Sequence, residues 1–255
     1  MSSFSLIVPC YNEEGSLPWF IPQLAAQIAH IPELEILVVD DGSRDRSPLL
    51  LQELALKYPI RVITNPVNLG LGGAMRRGFN EARGEWLTYL PADGQVPAAE
   101  LRRFLPYMDR YDLIISRRPT PPDYTRYRRL ASRVYTAWVS LAFGLRLRDF
   151  NWVQAWKRSY WQAYGSDSNS VFVCGEFLVR CRRVRPRMVE IEIAYRPRSA
   201  GRAKNGSPRA ALRAAADITR VFFEETRAGR FHFLDPVWPD RAQPEPGTIE
   251  RRKAA

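Results

Sequence analysis

Asp93 and Gln95 stand two residues apart in the stretch PADGQVP at 91–97, directly after the apolar run EWLTYL. A carboxylate and an amide oxygen at this spacing on a loop can face the same way, which suits a hard cation such as Mg²⁺ or Mn²⁺ that prefers oxygen ligands. The same aspartate could instead cap a helix beginning near Pro97. Pro91 fixes one torsion and ends strand pairing, so the loop leaves its strand in a defined direction. A second acidic site, Asp40 and Asp41 in VVDDGSRDRS, precedes a Gly42–Ser43 turn. Two such carboxylates can take hydrogen bonds from a base or ribose and share a divalent cation, or they can simply build a turn and cap the next helix. NLGLGGA at 68–74 is a glycine-rich turn entering a helix. Such a turn lets backbone approach a phosphate or sugar closely, or it starts a helix with no ligand at all.

These groups need strands to carry them. Apolar, β-branched runs of strand length recur as SLIV, EILVVDD, RVIT, EWLTYL and DLIIS, separated by stretches with helical spacing. Alternation of this kind argues for βαβ units and a mostly parallel, doubly wound α/β sheet with helices on both faces. Ligands of such sheets bind outside the carboxyl ends of the strands, where each run is followed here by acids, glycines, Asn or arginines. Further on, residues 124–143 read as a helix with Arg126, Arg129 and Arg133 at helical spacing, mixed with Tyr127, Tyr135 and Trp138. RMVEIEIAYRP alternates as a strand, and a second amphipathic helix opens at Ser207–Pro208 and closes at Gly229.

Composition narrows the possibilities. The 255 residues can bury a sizeable core without staples, and Cys10, Cys174 and Cys181 have no paired spacing. Two histidines are too few for a zinc cluster, and a reducing compartment is the simple reading. The longest lipid-like stretch, YTAWVSLAFGL at 135–145, falls well short of a spanning helix, and no signal peptide is expected at the start. The net charge of +11 divides into −5 over residues 1–100 and +16 over the remainder. An anionic partner is expected for the basic part, the alternative being a solvated arginine-rich surface. No nucleic-acid recognition motif accompanies the charge, so nucleic acid is not expected.

VPCYNEEGS, VVDDGSRDRS, NLGLGGAMRRG and PADGQVP, in this order, resemble the nucleotide-sugar domain of inverting GT-A glycosyltransferases. RDFNWVQAWKR, CGEFLVRCRR and YRPRSAGRAKNG are similar to acceptor-side segments of the polyprenyl-phosphate, dolichol-phosphate mannose synthase-like branch of family 2. The resemblance covers roughly residues 4–225. It implies a GT-A fold over 1–230, with a nucleotide-sugar half at 1–118, an acceptor half at 119–230 and a flexible tail at 231–255.

The resemblance also implies roles. Pro9, Tyr11 and Glu13 would hold the nucleobase of a GDP- or UDP-sugar, Asp40 the base or ribose with Asp41 beside it, and Asn68, Gly70, Gly72 and Ala74 would line the ribose and sugar. The family's Asp-x-Asp-x-Gln metal motif becomes Pro91-x-Asp93-x-Gln95, which keeps two ligands for Mg²⁺ or Mn²⁺ and should weaken binding of the free ion. Arg117, Arg128, Ser132, Arg198 and Lys204 match positions that hold the acceptor phosphate, with Ala203 replacing a serine. The family's Gln-x-x-Arg-Trp element, found near the general base of enzymes that act on sugar alcohols, is absent. A phosphate monoester is ionised near neutral pH and needs no base, so a polyprenyl phosphate acceptor is expected. Asp149 is the remaining candidate for a base or orienting acid, or else it pairs with Arg146 or Arg148. The expected setting is cytoplasmic, peripheral on the inner face of the cell membrane. Transfer to a soluble or polysaccharide acceptor, and a non-catalytic nucleotide-sugar-binding role, stand as alternatives.

Overall fold

All five apolar runs are strands: β1 (Phe4–Cys10), β2 (Leu34–Asp40), β3 (Ile60–Thr64), β4 (Trp86–Tyr89) and β5 (Leu113–Arg117). The computed structural model describes residues 3–29, 31, 33–119, 126–196, 208–230, 237 and 239–241. Helices α1 (Leu17–Ile28), α2 (Ser47–Ala55) and α3 (Gly70–Glu81) alternate with the early strands. After β5 come α4 (Arg126–Phe143), β6 (Gln154–Lys157), α5 (Arg158–Tyr164), α6 (Val173–Cys181), β7 (Met188–Glu192), α7 (Pro208–Arg227) and the short β8 (Asp240–Arg241).

The strands form one sheet in the order β3-β2-β1-β4-β6-β5-β7-β8. It is mostly parallel, but β6 runs antiparallel to both of its neighbours and separates two parallel halves. The alternating runs gave no sign of this strand, because QAWK is short and carries a polar residue at each end. Gln154 is nonetheless fully buried, and its amide donates to the carbonyl of Phe150 at 3.1 Å. Its Nε2 is satisfied in this way at the centre of the sheet, while its Oε1 is buried without a hydrogen-bond partner among the described residues.

Both faces are covered, as a parallel sheet requires. Leu6 and Val8 of β1 point into a core shared with α1 residues Leu17, Phe20 and Leu24. Ile7 points the other way, into a core with Met75 and Phe79 of α3 and Phe177 of α6. The parallel register pairs Cys10 with Asp40 and Asp40 with Thr64, so β1, β2 and β3 end level with one another. The loops that follow them therefore share one rim.

Residue 237, within the expected tail, joins the fold: the Val237 N–H donates to Gly144 O at 2.9 Å, and Asp240–Arg241 pair with β7. Both amphipathic helices fall where the sequence places them, and none among the described residues is long and apolar enough to cross a membrane.

Asp112, just before β5, fixes three neighbouring strands at one end. Its carboxylate accepts from Lys157 Nζ at 2.8 Å and from the backbone and guanidinium of Arg187 at 3.1–3.2 Å. Burial works against its charge, but the Arg187 and Lys157 hydrogen bonds outweigh it and hold the carboxyl down at about 2. A carboxyl depressed in the folded state contributes stability that is complete above its ordinary value of 3.8 and is lost as pH falls through about 2. Asp112→Asn is expected to lower unfolding stability by about 1–2 kcal/mol at pH 7, after discounting for solvent screening. The difference from wild type should shrink between about pH 4 and pH 2 in denaturant titrations.

Candidate functional site

The turns after β1 and β2 are stitched together across the rim. The Asn12 N–H donates to Ser43 Oγ at 2.9 Å, the Glu13 N–H to Ser47 Oγ at 2.8 Å, and the Arg44 N–H to Asn12 Oδ1 at 2.8 Å. Asp40 and Asp41 then diverge. Asp40 Oδ1 accepts from the Ser43 N–H at 3.1 Å within the turn, while its Oδ2 is buried without a hydrogen-bond partner among the described residues.

Asp41 reaches across to the glycine-rich turn. Its Oδ1 accepts from Asn65 Nδ2 and the Leu69 N–H, both at 2.9 Å, and its Oδ2 accepts from the Gly70 N–H at 2.8 Å. Leu69 and Gly70 open α3, whose own N-cap makes no side-chain cap bond. A carboxylate from another strand therefore satisfies the orphan N–H groups of this helix and meets the positive end of its dipole.

A second segment presses on the same turn. The Gly72 N–H donates to Asn169 O at 3.1 Å, and Arg76 Nη1 donates to Asp167 O at 2.6 Å. A Cβ at Gly72 would lie 2.5 Å from Ser170 O and 2.7 Å from Ser168 O. The glycine at this position thus admits another stretch of the chain. Asn169 in turn is held through Ser168, whose hydroxyl bonds Asp217 of α7. Arg220 of α7 meets the fully buried Glu176 of α6 at 3.1 Å, and Arg180 joins the same carboxylate at 2.6 Å.

Together these elements enclose a pocket of about 350 Å³, lined by Pro9, Tyr11 and Glu13, by Asp41, by Asn68, Gly70 and Ala74, by Pro91 and Asp93, by Asn169–Val171, and by Ala210 and Arg213 of α7. The structure brings most of the sequence-derived nucleotide-sugar residues into this one cavity, together with Asp93. Asp40 and Gly72 do not line it. Asp40 is turned into the loop below, and Gly72 packs against Ser168–Ser170. Asn169, Ser170 and Arg213 were not singled out from sequence. SDSNS reads as an ordinary polar loop, and Arg213 as one of many charges on an amphipathic helix.

The loop PADGQ is closed by Asp93, whose Oδ1 accepts from the Gln95 N–H at 3.1 Å. No helix N-terminus is capped by it: the short 3₁₀ turn at Ala98–Arg103 has no side-chain cap. Gln95 Nε2 donates to the Tyr195 hydroxyl at 3.2 Å, and its carbonyl accepts from the Arg196 N–H at 2.8 Å. With the amide nitrogen engaged on Tyr195, the Gln95 side-chain oxygen is left as the acceptor. No cluster of three His, Cys, Asp or Glu side chains suited to a metal occurs among the described residues.

Among the residues expected from sequence to face an acceptor, Arg117 pairs with Glu192 at 2.7 Å. Asp149 pairs with Arg118, receiving Nε at 2.7 Å, and also accepts from the Asn151 N–H at 2.9 Å. Its expected partner Arg148 instead pairs with Glu190 at 3.1 Å. The Arg118 guanidinium lies 5.0 Å from the centre of the Trp152 ring, and Trp152 packs against Tyr195 with ring centres 5.8 Å apart. A continuous set of contacts therefore runs from Gln95 to Asp149. Ser132 lies half-buried on α4, Arg128 falls within the same helix, and Arg198 and Lys204 lie outside the described residues.

The glycosyl transferase family 2 model matches residues 5–180, which includes every strand from β1 to β6 and the loops that line most of the pocket. The chain belongs to glycosyl transferase family 2. Among curated relatives, it is 30% identical over 211 residues to the undecaprenyl-phosphate 4-deoxy-4-formamido-L-arabinose transferase of Proteus mirabilis, covering 80% of this chain and 63% of the relative. It is 36% identical over 155 residues to the protein of the same name in Pectobacterium atrosepticum, covering 59% and 47%. This family 2 chain thus spans less than two thirds of the length of these relatives. Its GT-A fold is shared with glucosyl-3-phosphoglycerate synthase of Mycobacterium tuberculosis solved with Mn²⁺ and UDP, at TM-score 0.66 and 15% identity over 87% of this chain and 80% of that one. It is shared also with a mannosyltransferase of Pyrobaculum calidifontis solved with GDP-Man and Mn²⁺, at TM-score 0.65 and 17% identity over 91% of this chain and 66% of that one.

Gly72→Ala tests whether the family 2 pocket depends on the close contact between α3 and the 168–170 segment. The added methyl would collide with backbone atoms of Ser168–Ser170. The variant is expected to lose about 1–3 kcal/mol in chemical denaturation, whereas a glycine serving only to admit a ligand would leave stability unchanged.

Proposed function

We propose that this protein transfers a sugar from a nucleotide-sugar donor to a polyprenyl phosphate, with inversion at the anomeric carbon. The observation that carries the reading is the meeting, in one pocket, of the β1 and β2 turns with Asp93 on the PADGQ loop. Relatives 30–36% identical that are named undecaprenyl-phosphate sugar transferases support the acceptor class.

In this reading Pro9, Tyr11, Glu13 and Asp41 take the nucleoside, and Asn68, Gly70 and Ala74 flank the ribose and sugar. Asp40 shapes the turn beneath. The donor set fits a hard cation, because Asp93 offers a carboxylate at the pocket wall and Gln95 an amide oxygen, leaving the remaining positions to phosphate oxygens and water. Asp93 and Gln95 would hold Mg²⁺ or Mn²⁺, and such an ion supplies charge neutralisation for the departing diphosphate. A lipid phosphate oxygen attacks the anomeric carbon, and the electron pair of the broken bond leaves on the nucleoside diphosphate. The attacking phosphate is already an anion, so no general base is required. Asp149, committed to Arg118, orients that guanidinium towards the acceptor side. Arg117, Arg128, Ser132, Arg198 and Lys204 remain the acceptor-phosphate residues of the proposal.

A membrane surface would present the lipid. On α4, Val139 and Phe143 face the core, while Leu130, Val134, Trp138 and Leu141 are exposed along one side, near exposed Arg126 and Arg133. Leu212 and Phe223 are exposed on α7. Apolar stripes bordered by arginine suit the headgroup boundary.

Two measurements test this. Purified protein is incubated with labelled UDP- or GDP-sugars, Mg²⁺ or Mn²⁺ and a polyprenyl phosphate, and label is expected in the organic phase only when the lipid is present. Label appearing solely in water-soluble glycan would move the acceptor to another class, and nucleotide binding without any transfer would remove the enzymatic reading. Asp93→Ala is expected to cut transfer by roughly 10²–10³-fold. Separately, Trp138→Asp with Leu141→Asp should release the protein from sedimenting vesicles that contain anionic lipid. Unchanged co-sedimentation would exclude α4 as the membrane face.

A further inference from the structure

We infer that Arg213 of α7 binds the diphosphate of the nucleotide, a role that rests on the nucleotide-sugar reading of the pocket. The glycine-rich turn is the part of the sequence that looks built for phosphate, yet three of its backbone donors are spent. The N–H groups of Leu69 and Gly70 go to Asp41, and that of Gly72 goes to Asn169 O. The dipole at this end of α3 already meets a carboxylate. An incoming phosphate finds no free donor at these three positions.

The charged side chains lining the pocket are Glu13, Asp41, Asp93 and Arg213, so three are acidic and one is basic. A diphosphate entering beside three carboxylates must be balanced by cations. Asp93 is the pocket's candidate metal ligand, and no third acidic or histidine ligand gathers around it among the described residues. Coordination so poor in protein ligands leaves a larger share of the neutralisation to a fixed guanidinium, whose paired N–H donors match phosphate oxygens.

Arg213 is also held for the task without being consumed. It lies one helical turn before Asp217, which is bonded to Ser168, and seven residues before Arg220, which is bonded to the buried Glu176. Ala214, Ile218 and Val221 bury the inner face of the same helix. No carboxylate pairs with Arg213 among the described residues, whereas Arg180, Arg183 and Arg220 nearby are all in ion pairs. The helix is anchored, and the guanidinium is exposed at the pocket wall.

The test is calorimetric titration of the full chain with UDP, GDP and the nucleosides uridine and guanosine, in EDTA and again in Mn²⁺. Arg213→Ala is expected to weaken metal-free binding of the preferred nucleoside diphosphate by roughly tenfold or more, leave nucleoside binding unchanged, and make diphosphate binding depend more steeply on Mn²⁺. Arg213→Lys should recover part of the loss, and Thr219→Ala, at an exposed position of the same helix outside the pocket, should bind as wild type. Unchanged diphosphate affinity in Arg213→Ala would overturn the assignment, as would a variant whose only defect is a raised KM for polyprenyl phosphate, since the cation would then serve the acceptor. If the wild-type chain bound neither diphosphate, the nucleotide reading would fail first and take this role with it.

Discussion

The carboxylate of Asp41 is 2% exposed and accepts three hydrogen bonds, two of them from the opening residues of a helix that belongs to a different βα unit. A buried charge left unpaired would cost several kcal/mol, so the end of β2, Asn65 after β3 and the start of α3 are obliged to remain together. The level strand ends set up by the parallel register make this meeting possible. The remainder of the pocket is arranged around it. The β1 turn leans on the β2 turn through Ser43 and Ser47, and the Asn169 segment leans on α3 through Gly72. A turn of the type that can cradle phosphate serves here as a structural joint, with the N–H groups of Leu69, Gly70 and Gly72 committed to other parts of the chain.

The parts of the fold that were legible in the sequence are those governed by local pattern. β1, β2 and β5 are buried on both faces and read as unbroken apolar runs, and α4 and α7 show helical spacing throughout. β6 was not legible, because a four-residue strand with Gln154 at its start is defined by the two strands it lies between. The same division holds in the pocket. Asp93, Asp41 and Gly70 announce themselves by type and position. Asn169 contributes largely through backbone, which no residue type encodes, and the place of Arg213 depends on where α7 docks. Asp149 shows the converse: a lone acid beside arginines was legible as a candidate, but its choice of Arg118 over Arg148 follows from the approach of the β5 end to the 149–152 turn.

Gln95, Tyr195, Trp152, Arg118 and Asp149 form an unbroken line of hydrogen bonds, ring contacts and an ion pair. It begins at the loop that carries Asp93 and ends at Asp149, whose carboxylate also accepts from the Asn151 N–H. Trp152 is held by further ties, since its Nε1 donates to Ile193 O at 3.2 Å and the Tyr89 hydroxyl donates to Trp152 O at 2.8 Å. The Asp93 loop and Arg118 are thus joined through closely packed side chains.

The pocket wall supplied by Ala210 and Arg213 lies beyond residue 180, where the family match ends. Gly72 fits only against Ser168–Ser170, and Ser168 is tied to Asp217. Residues 68–74, 166–170 and 208–220 therefore pack as one unit despite their distance along the chain. A chimera that took its first half from one relative and α7 from another would join surfaces shaped for different neighbours.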